Sequence, residues 1–291
     1  MKLKITTVAF SVLVIIFSLL IWSYQKSLTQ IFLPQALAVQ TTPQAIKEQN
    51  QPANTSERLD KFWARALQEV YKSTGELQAQ DERELRKGII YKKLIRGNPD
   101  IKAVALTFDD GPHPDYTPKL LAILKNYDVK ATFFVIGKMA EKYPDLIKAE
   151  YADGHVIANH TYHHVNLTKI PEDEIRAEWQ ACNDVVKSII GIDMKFCRPP
   201  GGDYDVDVIT AAMDTGLITV LWTDDPGDYA SPGDKVIEER TLKYISNGAI
   251  ILLHDGVQQT IDVLPQIIEY IKSQGFQFQT VEEMAKDKLG Q

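Results

Sequence analysis

From Ile101 onward the chain alternates between short apolar runs and longer amphipathic stretches. This alternation constrains the fold more than any other feature of the sequence. The apolar runs predict strands at Lys102–Phe108, Ala131–Ile136, His155–Ala158, Lys195–Arg198, Leu217–Trp222, Ala249–His254 and Phe276–Phe278. Helices are predicted between them at Thr117–Tyr127, Met139–Tyr151, Glu172–Ile190, Val206–Thr215, Lys235–Ser246 and Ile261–Gln274. Gly154, Gly191, Gly216, Gly248 and Gly275 fall near helix ends, where a left-handed residue commonly stops a helix. Strands joined through helices pair in parallel, so seven such units predict an α/β fold with a parallel sheet. The sheet can be a barrel or an open, doubly wound layer. No GxGxxG follows the first strand and no GxxxxGK[ST] occurs, so nucleotide binding lacks support.

The first hundred residues break this pattern. Lys2 and Lys4 precede Ile5–Trp22, a run of 18 residues without a charge. That is near the lower end of the roughly 17–25 residues needed to span a bilayer. Ala36-Leu37-Ala38 has the small-residue pattern of a signal cleavage site. Residues 1–38 are therefore expected to be a signal or anchor segment. The chain is read as exported, anchored through residues 5–22 and facing the periplasm or cell exterior, or secreted if cleaved after Ala38. Residues 39–56, rich in Gln, Thr, Pro and Asn, read as a flexible linker. Residues 57–100 read as a helical stem. Leu59, Phe62, Trp63, Ala66, Leu67, Val70 and Tyr71 form an apolar stripe. A second helix is expected from about Asp81 to Ile95, ended by Gly97-Asn98-Pro99. The main domain is expected over 101–285, with a tail at 286–291.

Charge and composition narrow the partners. Apolar residues are 44% and charged residues 24% of the chain, which excludes a wholly disordered chain and a multi-span membrane protein. The net charge of −7 divides into +3 for residues 1–56, +2 for 57–100 and −12 for 101–291. A main domain this acidic does not attract nucleic acid by its overall field. Membrane contact is expected through the N-terminal segment only, and no obligate protein partner is evident. Cys182 and Cys197 form no CxxC metal motif and are read as two buried free thiols rather than a bridge.

The informative side chains cluster at the C-terminal ends of the predicted strands, where α/β barrels carry their catalytic groups. The first strand ends in Thr107-Phe108-Asp109-Asp110-Gly111-Pro112. Successive strand side chains diverge, so one Asp can hold a metal while the other handles a proton. Asp-Gly-Pro is equally good turn chemistry. The third strand runs into Asn159-His160-Thr161-Tyr162-His163-His164. His160 and His164 are the natural pair for a metal in a coiled segment, and His160 with His163 is the competitor. One Asp with two His leaves coordination open for water, as catalytic zinc sites require. Arg198 stands before Pro199-Pro200-Gly201-Gly202, where backbone can approach a ligand closely and an N–H can serve an oxyanion. Asp224, Asp225 and Asp228 follow the fifth strand, either as a turn or to orient Arg and His groups. His254 closes the sixth strand and is a candidate for proton transfer.

Taken jointly, these residues resemble the polysaccharide deacetylase family, the NodB-homology domain of carbohydrate esterase family 4, over about 101–285. TFDDGP appears unchanged at 107–112. The family's H-[ST]-x-x-H matches His160 to His164. Its R-x-P followed by an aromatic and Gly matches Arg198, Pro200 and Gly202. Its D-x-x-D-W corresponds to Asp225 through Tyr229, and its L-x-H to Leu252 through His254.

The resemblance implies a distorted (β/α) barrel, often of seven strands. It implies that Asp110, His160 and His164 hold a divalent metal, zinc first, with cobalt or nickel as alternatives. It further implies that Asp109 is the base, His254 the acid, Arg198 the partner that positions Asp109, and Asp228 the partner that tunes His254. The Gly201 N–H would meet the oxyanion and Leu252 would help form the methyl pocket. The implied activity is removal of N-acetyl groups from an envelope or extracellular polysaccharide, an N-acetylglucosamine-type polymer such as peptidoglycan or a chitin-like glycan. Alternatives are an O-acetyl esterase of the acetyl xylan type, another C–N amide hydrolase, or a silent carbohydrate-binding module. Three positions depart from the family pattern: Gly201 for an aromatic, Tyr229 for Trp, and Val165 where Pro is frequent after the second His. None removes a metal ligand or proton-transfer group.

Overall fold

The stretch Ala103–Asp109 (β2) buries every side chain. A parallel strand covered on both faces reads as a nearly unbroken apolar run, and this one has the sequence AVALTFD. In a computed structural model describing residues 72–289, β2 lies inside an all-parallel sheet of eight strands. The others are Lys93–Leu94 (β1), Thr132–Val135 (β3), Val156–Asn159 (β4), Phe196–Cys197 (β5), Ile218–Val220 (β6), Ala249–His254 (β7) and Gln277–Phe278 (β8). The main path is β1-β6-β5-β4-β3-β2-β7, and β8 pairs with β2 off that path. Register sets Asp109 level with His254 on β7 and with Phe134 on β3. Asn159 is level with Cys197. The C-terminal ends of β2, β4, β5 and β7 therefore meet at one end of the sheet.

The sheet curls back on itself. Beyond β6 the chain bridges Asp224 to Ile251 of β7 in parallel, and Leu252 donates its N–H to the Asp224 carbonyl. In the other half of the seam, β1 pairs Leu94 with Val220, and Gly97 donates to the Gly248 carbonyl. The predicted barrel is thus confirmed in its α/β class and parallel order. Each of the seven predicted strands is present, shifted by one or two residues at most ends.

The helices that cover the sheet are Thr74–Arg86 (α1), Thr117–Asn126 (α2), Gly137–Lys142 (α3), Pro144–Ala152 (α4), Glu172–Ile190 (α5), Val206–Asp214 (α6), Asp234–Lys243 (α7), Gln258–Ser273 (α8) and Val281–Leu289 (α9). The long α5 opens on Glu172, Asp173 and Glu174 and ends at Gly191 in the left-handed conformation (φ 74°). Acidic first turns and a glycine stop are the expected electrostatic and steric signals.

Two predicted helices are corrected. The single helix over Met139–Tyr151 is split at Tyr143, because Pro144 has no N–H to continue the ladder and instead opens α4. The helix expected over 81–95 lies at 74–86, and Lys93–Leu94 is a strand. Its start is fixed by a capping box: Ser73 Oγ accepts the Glu76 N–H, and Glu76 accepts the Ser73 N–H. Leu77 of α1 and Leu94 of β1 are wholly buried in the same core as the sheet.

The expected membrane segment, the linker and the apolar stripe from Leu59 to Tyr71 lie outside the described residues, as do residues 290–291. Among the described residues no helix is long and apolar enough to cross a membrane. Cys182 and Cys197 are free and buried, as expected, and burial pushes both thiols up, away from reactivity.

Candidate active site

Asp109 is the last residue of β2, and Asp110 turns out of the strand at φ 74°. That single positive φ aims the two adjacent carboxylates at different partners. Asp110 Oδ1 lies 3.4 Å from His160 Nε2 and 3.1 Å from His164 Nε2. One ligand atom from each of the three residues falls within 4.8 Å of the others, and all three are buried.

The loop after β4 builds this cluster by local strain and local hydrogen bonds. Thr161 (φ 66°) and His164 (φ 58°) both take left-handed backbone. Asn159 Oδ1 accepts the Thr161 N–H at 2.8 Å, and Thr161 Oγ1 accepts the His164 N–H at 2.9 Å. The coil brings His164, not His163, beside His160. The competing pair is excluded because His163 turns to the surface and pairs with Glu178 at 2.7 Å.

His160 Nδ1 lies 2.7 Å from the Arg198 carbonyl oxygen. A carbonyl only accepts, so Nδ1 carries the proton and the Nε2 lone pair faces Asp110. Asp109 Oδ2, Asp110 Oδ1 and His160 Nε2 are buried without a hydrogen-bond partner. Leaving such atoms unsatisfied is costly, and one shared cation satisfies the Asp110 and His160 donors at once. The nitrogen and carboxylate donor set suits zinc, cobalt or nickel. Burial raises the Asp110 carboxyl, but His164 and His160 outweigh it and hold this group well below the usual carboxylate range.

Arg198 leaves β5 fully buried and reaches across the sheet. Its Nη1 donates to Asp109 Oδ1 at 2.6 Å and to Thr107 Oγ1 at 3.0 Å, and its guanidinium lies 4.0 Å from the Phe134 ring centre. Asp109 is thereby held by one oxygen while Oδ2 faces the cluster, 3.7 Å from His160 Nε2.

On the other side, His254 Nδ1 lies 2.7 Å from Asp228 Oδ1. Asp228 is fixed in turn by the His254 N–H at 2.8 Å, the Thr260 hydroxyl at 2.6 Å and the Tyr229 N–H at 2.9 Å. Burial lowers the His254 pKa, but Asp228, followed by Asp110 and Asp109, brings it up to about 9. Tyr229, where the family pattern has Trp, stands edge-on to His254 at 5.4 Å. Leu252 lies two residues before His254 on the same face of β7, level with Thr107, and is fully buried.

Gly201 is the middle of a tight turn, Pro200–Gly202, with φ 65°. Gly202 also has φ 65°, and a Cβ there would sit 2.4 Å from the Trp222 ring. Asp225 caps its own turn by accepting the Gly227 N–H. Of the three Asp after β6, only Asp228 orients a proposed proton-transfer group.

Sequence reasoning missed Thr107, Thr260 and Asp255. Asp255 follows His254 and is buried against Thr117. Burial pushes its carboxyl up to about 7. Adjacency to His254 was the available signal for Asp255, and Thr107 opens the TFDDGP motif; Thr260 carries none, since its partner is remote in sequence.

The strand ends thus bring together three residues that could hold a metal ion, a carboxylate held by Arg198 and an imidazole held by Asp228. The polysaccharide deacetylase family model matches residues 96–220. A peptidoglycan-N-acetylglucosamine deacetylase of Bacillus cereus is 38% identical over 198 residues, covering 67% of this chain and 72% of that protein. A crystal structure of a peptidoglycan N-acetylglucosamine deacetylase superposes with a TM-score of 0.65 at 36% identity, covering 69% of this chain and 94% of that one. A CE4-family pseudoenzyme from Bacillus anthracis superposes with a TM-score of 0.66 at 30% identity, covering 69% and 72%. The chain belongs to the polysaccharide deacetylase family.

Proposed function

We propose that the chain hydrolyses the N-acetyl C–N bond of an N-acetylglucosamine-type polysaccharide of the cell envelope, using a divalent cation held by Asp110, His160 and His164. The observation that carries this reading is the convergence of three units on one point: the buried Asp110–His160–His164 cluster, Asp109 on Arg198, and His254 on Asp228. A cation held there would supply Lewis acidity, polarising the acetamide carbonyl and making water acidic enough to lose a proton. Asp109 accepts that proton through Oδ2 as water adds to the carbonyl carbon, while Arg198, bonded to Oδ1, keeps the carboxylate aimed. The Gly201 N–H meets the developing oxyanion. Leu252 packs against the acetyl methyl. When the C–N bond breaks, His254 delivers its Nε2 proton to the departing nitrogen, leaving acetate and a free amine. Asp228 keeps the imidazolium charged until that step.

The chain's similarity to peptidoglycan deacetylases supports the glycan class. The acidic main domain suits a neutral acetylated glycan and a cationic product. The reading includes export, with residues 5–22 as an anchor or a signal cleaved after Ala38; mass spectrometry of the mature N-terminus distinguishes the two. The test of function is acetate release from N-acetylglucosamine oligomers, peptidoglycan and acetylated xylan, with and without zinc. Release from the first two only with metal is expected. Release from xylan alone makes it an O-acetyl esterase, and no release despite bound metal makes it a silent binding module.

A further inference from the structure

The turn that carries Gly201 has two consecutive glycines in left-handed backbone, Gly201 and Gly202. Without Cβ atoms such a segment has more backbone freedom to lose than any other. Something must hold it, and much of what does lies before residue 96, outside the residues matched by the family model.

The Gly201–Gly202 peptide is bonded at both ends. Its N–H donates to the Pro199 carbonyl, and its carbonyl accepts the Lys72 N–H at 2.9 Å. Lys72 immediately precedes Ser73, whose capping box with Glu76 fixes where α1 begins. The Lys72 ammonium lies 2.9 Å from Asp203 Oδ1, and Asp203 Oδ2 accepts from the Thr168 hydroxyl at 2.8 Å and Asn166 Nδ2 at 3.2 Å. Asp203 therefore ties the Gly201 turn both to the start of α1 and to the turn that follows His164.

The next residue is held as well. Tyr204 is buried, its carbonyl accepts Gln80 Nε2 at 3.1 Å, and its hydroxyl lies between Lys93 Nζ at 3.1 Å and Glu84 Oε2 at 3.3 Å. Lys93 is nearly buried, pairs with Asp81 and Glu84, and is raised by these partners against the pull of burial. One face of α1 is thus spent on Tyr204 and on the side chains of Lys72 and Lys93, which reach Asp203 and Tyr204.

We propose that α1 and Lys72 are a positioning element of the active site, with Lys72 and Asp203 the positioning residues that fix the Gly201 turn for catalysis. This rests on the deacetylase reading for its catalytic consequence, and on contacts within the chain for its structural one. A turn displaced by an ångström costs turnover without costing substrate affinity, because an oxyanion donor acts only in the transition state.

The test uses the full chain with Lys72→Met, Asp203→Asn, the double variant and Lys72→Arg. Both single variants and the double are expected to lower kcat by roughly ten- to a hundredfold with KM within about twofold. The double should lose little more than either single, since both act through one contact. Lys72→Arg should recover kcat to within about threefold. Melting temperature and bound zinc should stay near wild type, which separates positioning from general damage. Amide hydrogen exchange of the 199–205 segment should rise about tenfold in Lys72→Met, as a loosened local unit requires. Wild-type kcat in both single variants, a loss shared by melting temperature and zinc content, or a change confined to KM overturns the proposal. Acetate release by the wild-type chain tests the deacetylase reading separately. If that fails, exchange decides the structural claim alone, and unchanged exchange in Lys72→Met sinks it.

Discussion

Asp109 and Asp110 are neighbours in sequence that face different partners, and the difference is one backbone dihedral. Asp109 stays in the strand and meets Arg198; Asp110, at φ 74°, meets His160 and His164. Asp110→Ala is expected to abolish zinc binding measured by calorimetry. Asp109→Asn should retain zinc yet lose roughly 10²–10⁴-fold in kcat. Equal loss of zinc in both variants contradicts the division of labour. The residues that meet here were readable as strand-end groups, with His160 and His164 as the natural pair, but the physical exclusion of His163 was not legible. It depends on the left-handed turn at Thr161 and on Glu178 drawing His163 outward. His254 gives a second residue-scale prediction. Asp228 holds its pKa up to about 9, so it is charged at neutral pH and loses its proton only in the alkaline range. The activity should therefore fall as pH rises through about 9. Asp228→Asn removes the main attraction opposing burial and should move that alkaline limb to lower pH. A limb that stays in place assigns it to another group.

At the scale of elements, periodicity found the seven principal strands because parallel strands buried on both faces are nearly all apolar. It could not find β1. Lys93–Leu94 is too short to show a period, and its place depends on the gap between β6 and β7. The start of α1 is marked by the local capping signal Ser73-x-x-Glu76, which a reading of the helix from about Asp81 leaves out. The Gly-Gly after Arg198 reads in sequence as a permissive loop, whereas the fold makes one of its glycines obligatory. At Gly202 a Cβ meets Trp222 at 2.4 Å in a backbone region that side chains avoid. Gly202→Ala is expected to destabilise by about 2–4 kcal/mol, from overpacking together with backbone strain. Urea unfolding measures this, and a change under about 1 kcal/mol means that Trp222 moves aside freely.

At the scale of the molecule, the acidity of residues 101–291 is not all solvated surface. Asp224 is buried with both carboxylate oxygens lacking a hydrogen-bond partner, and burial with Asp225 nearby pushes it up to about 8. A carboxyl whose folded pKa exceeds its unfolded value binds its proton more tightly in the folded state. Its stabilising contribution is complete below about pH 4, the ordinary carboxyl range, and is lost as pH rises through the folded value. Asp255, raised to about 7, adds the same sign, and His254 adds it between its ordinary value and about 9. Asp110, held low, acts oppositely and loses its contribution only as pH falls well below the usual carboxylate range. The melting temperature of the metal-free protein should therefore decline from about pH 5 to pH 9 by several degrees, at about 2–4 °C per kcal/mol for a domain of this size. Asp224→Asn removes the charge that must otherwise be buried at alkaline pH. It should flatten that decline and raise the melting temperature at pH 9, while leaving pH 5 unchanged or slightly lower, because the amide keeps the shape and adds an unsatisfied donor. A variant that melts lower by the same amount at both pH values shows that Asp224 keeps a partner when folded, and that the acidity of this barrel is carried elsewhere.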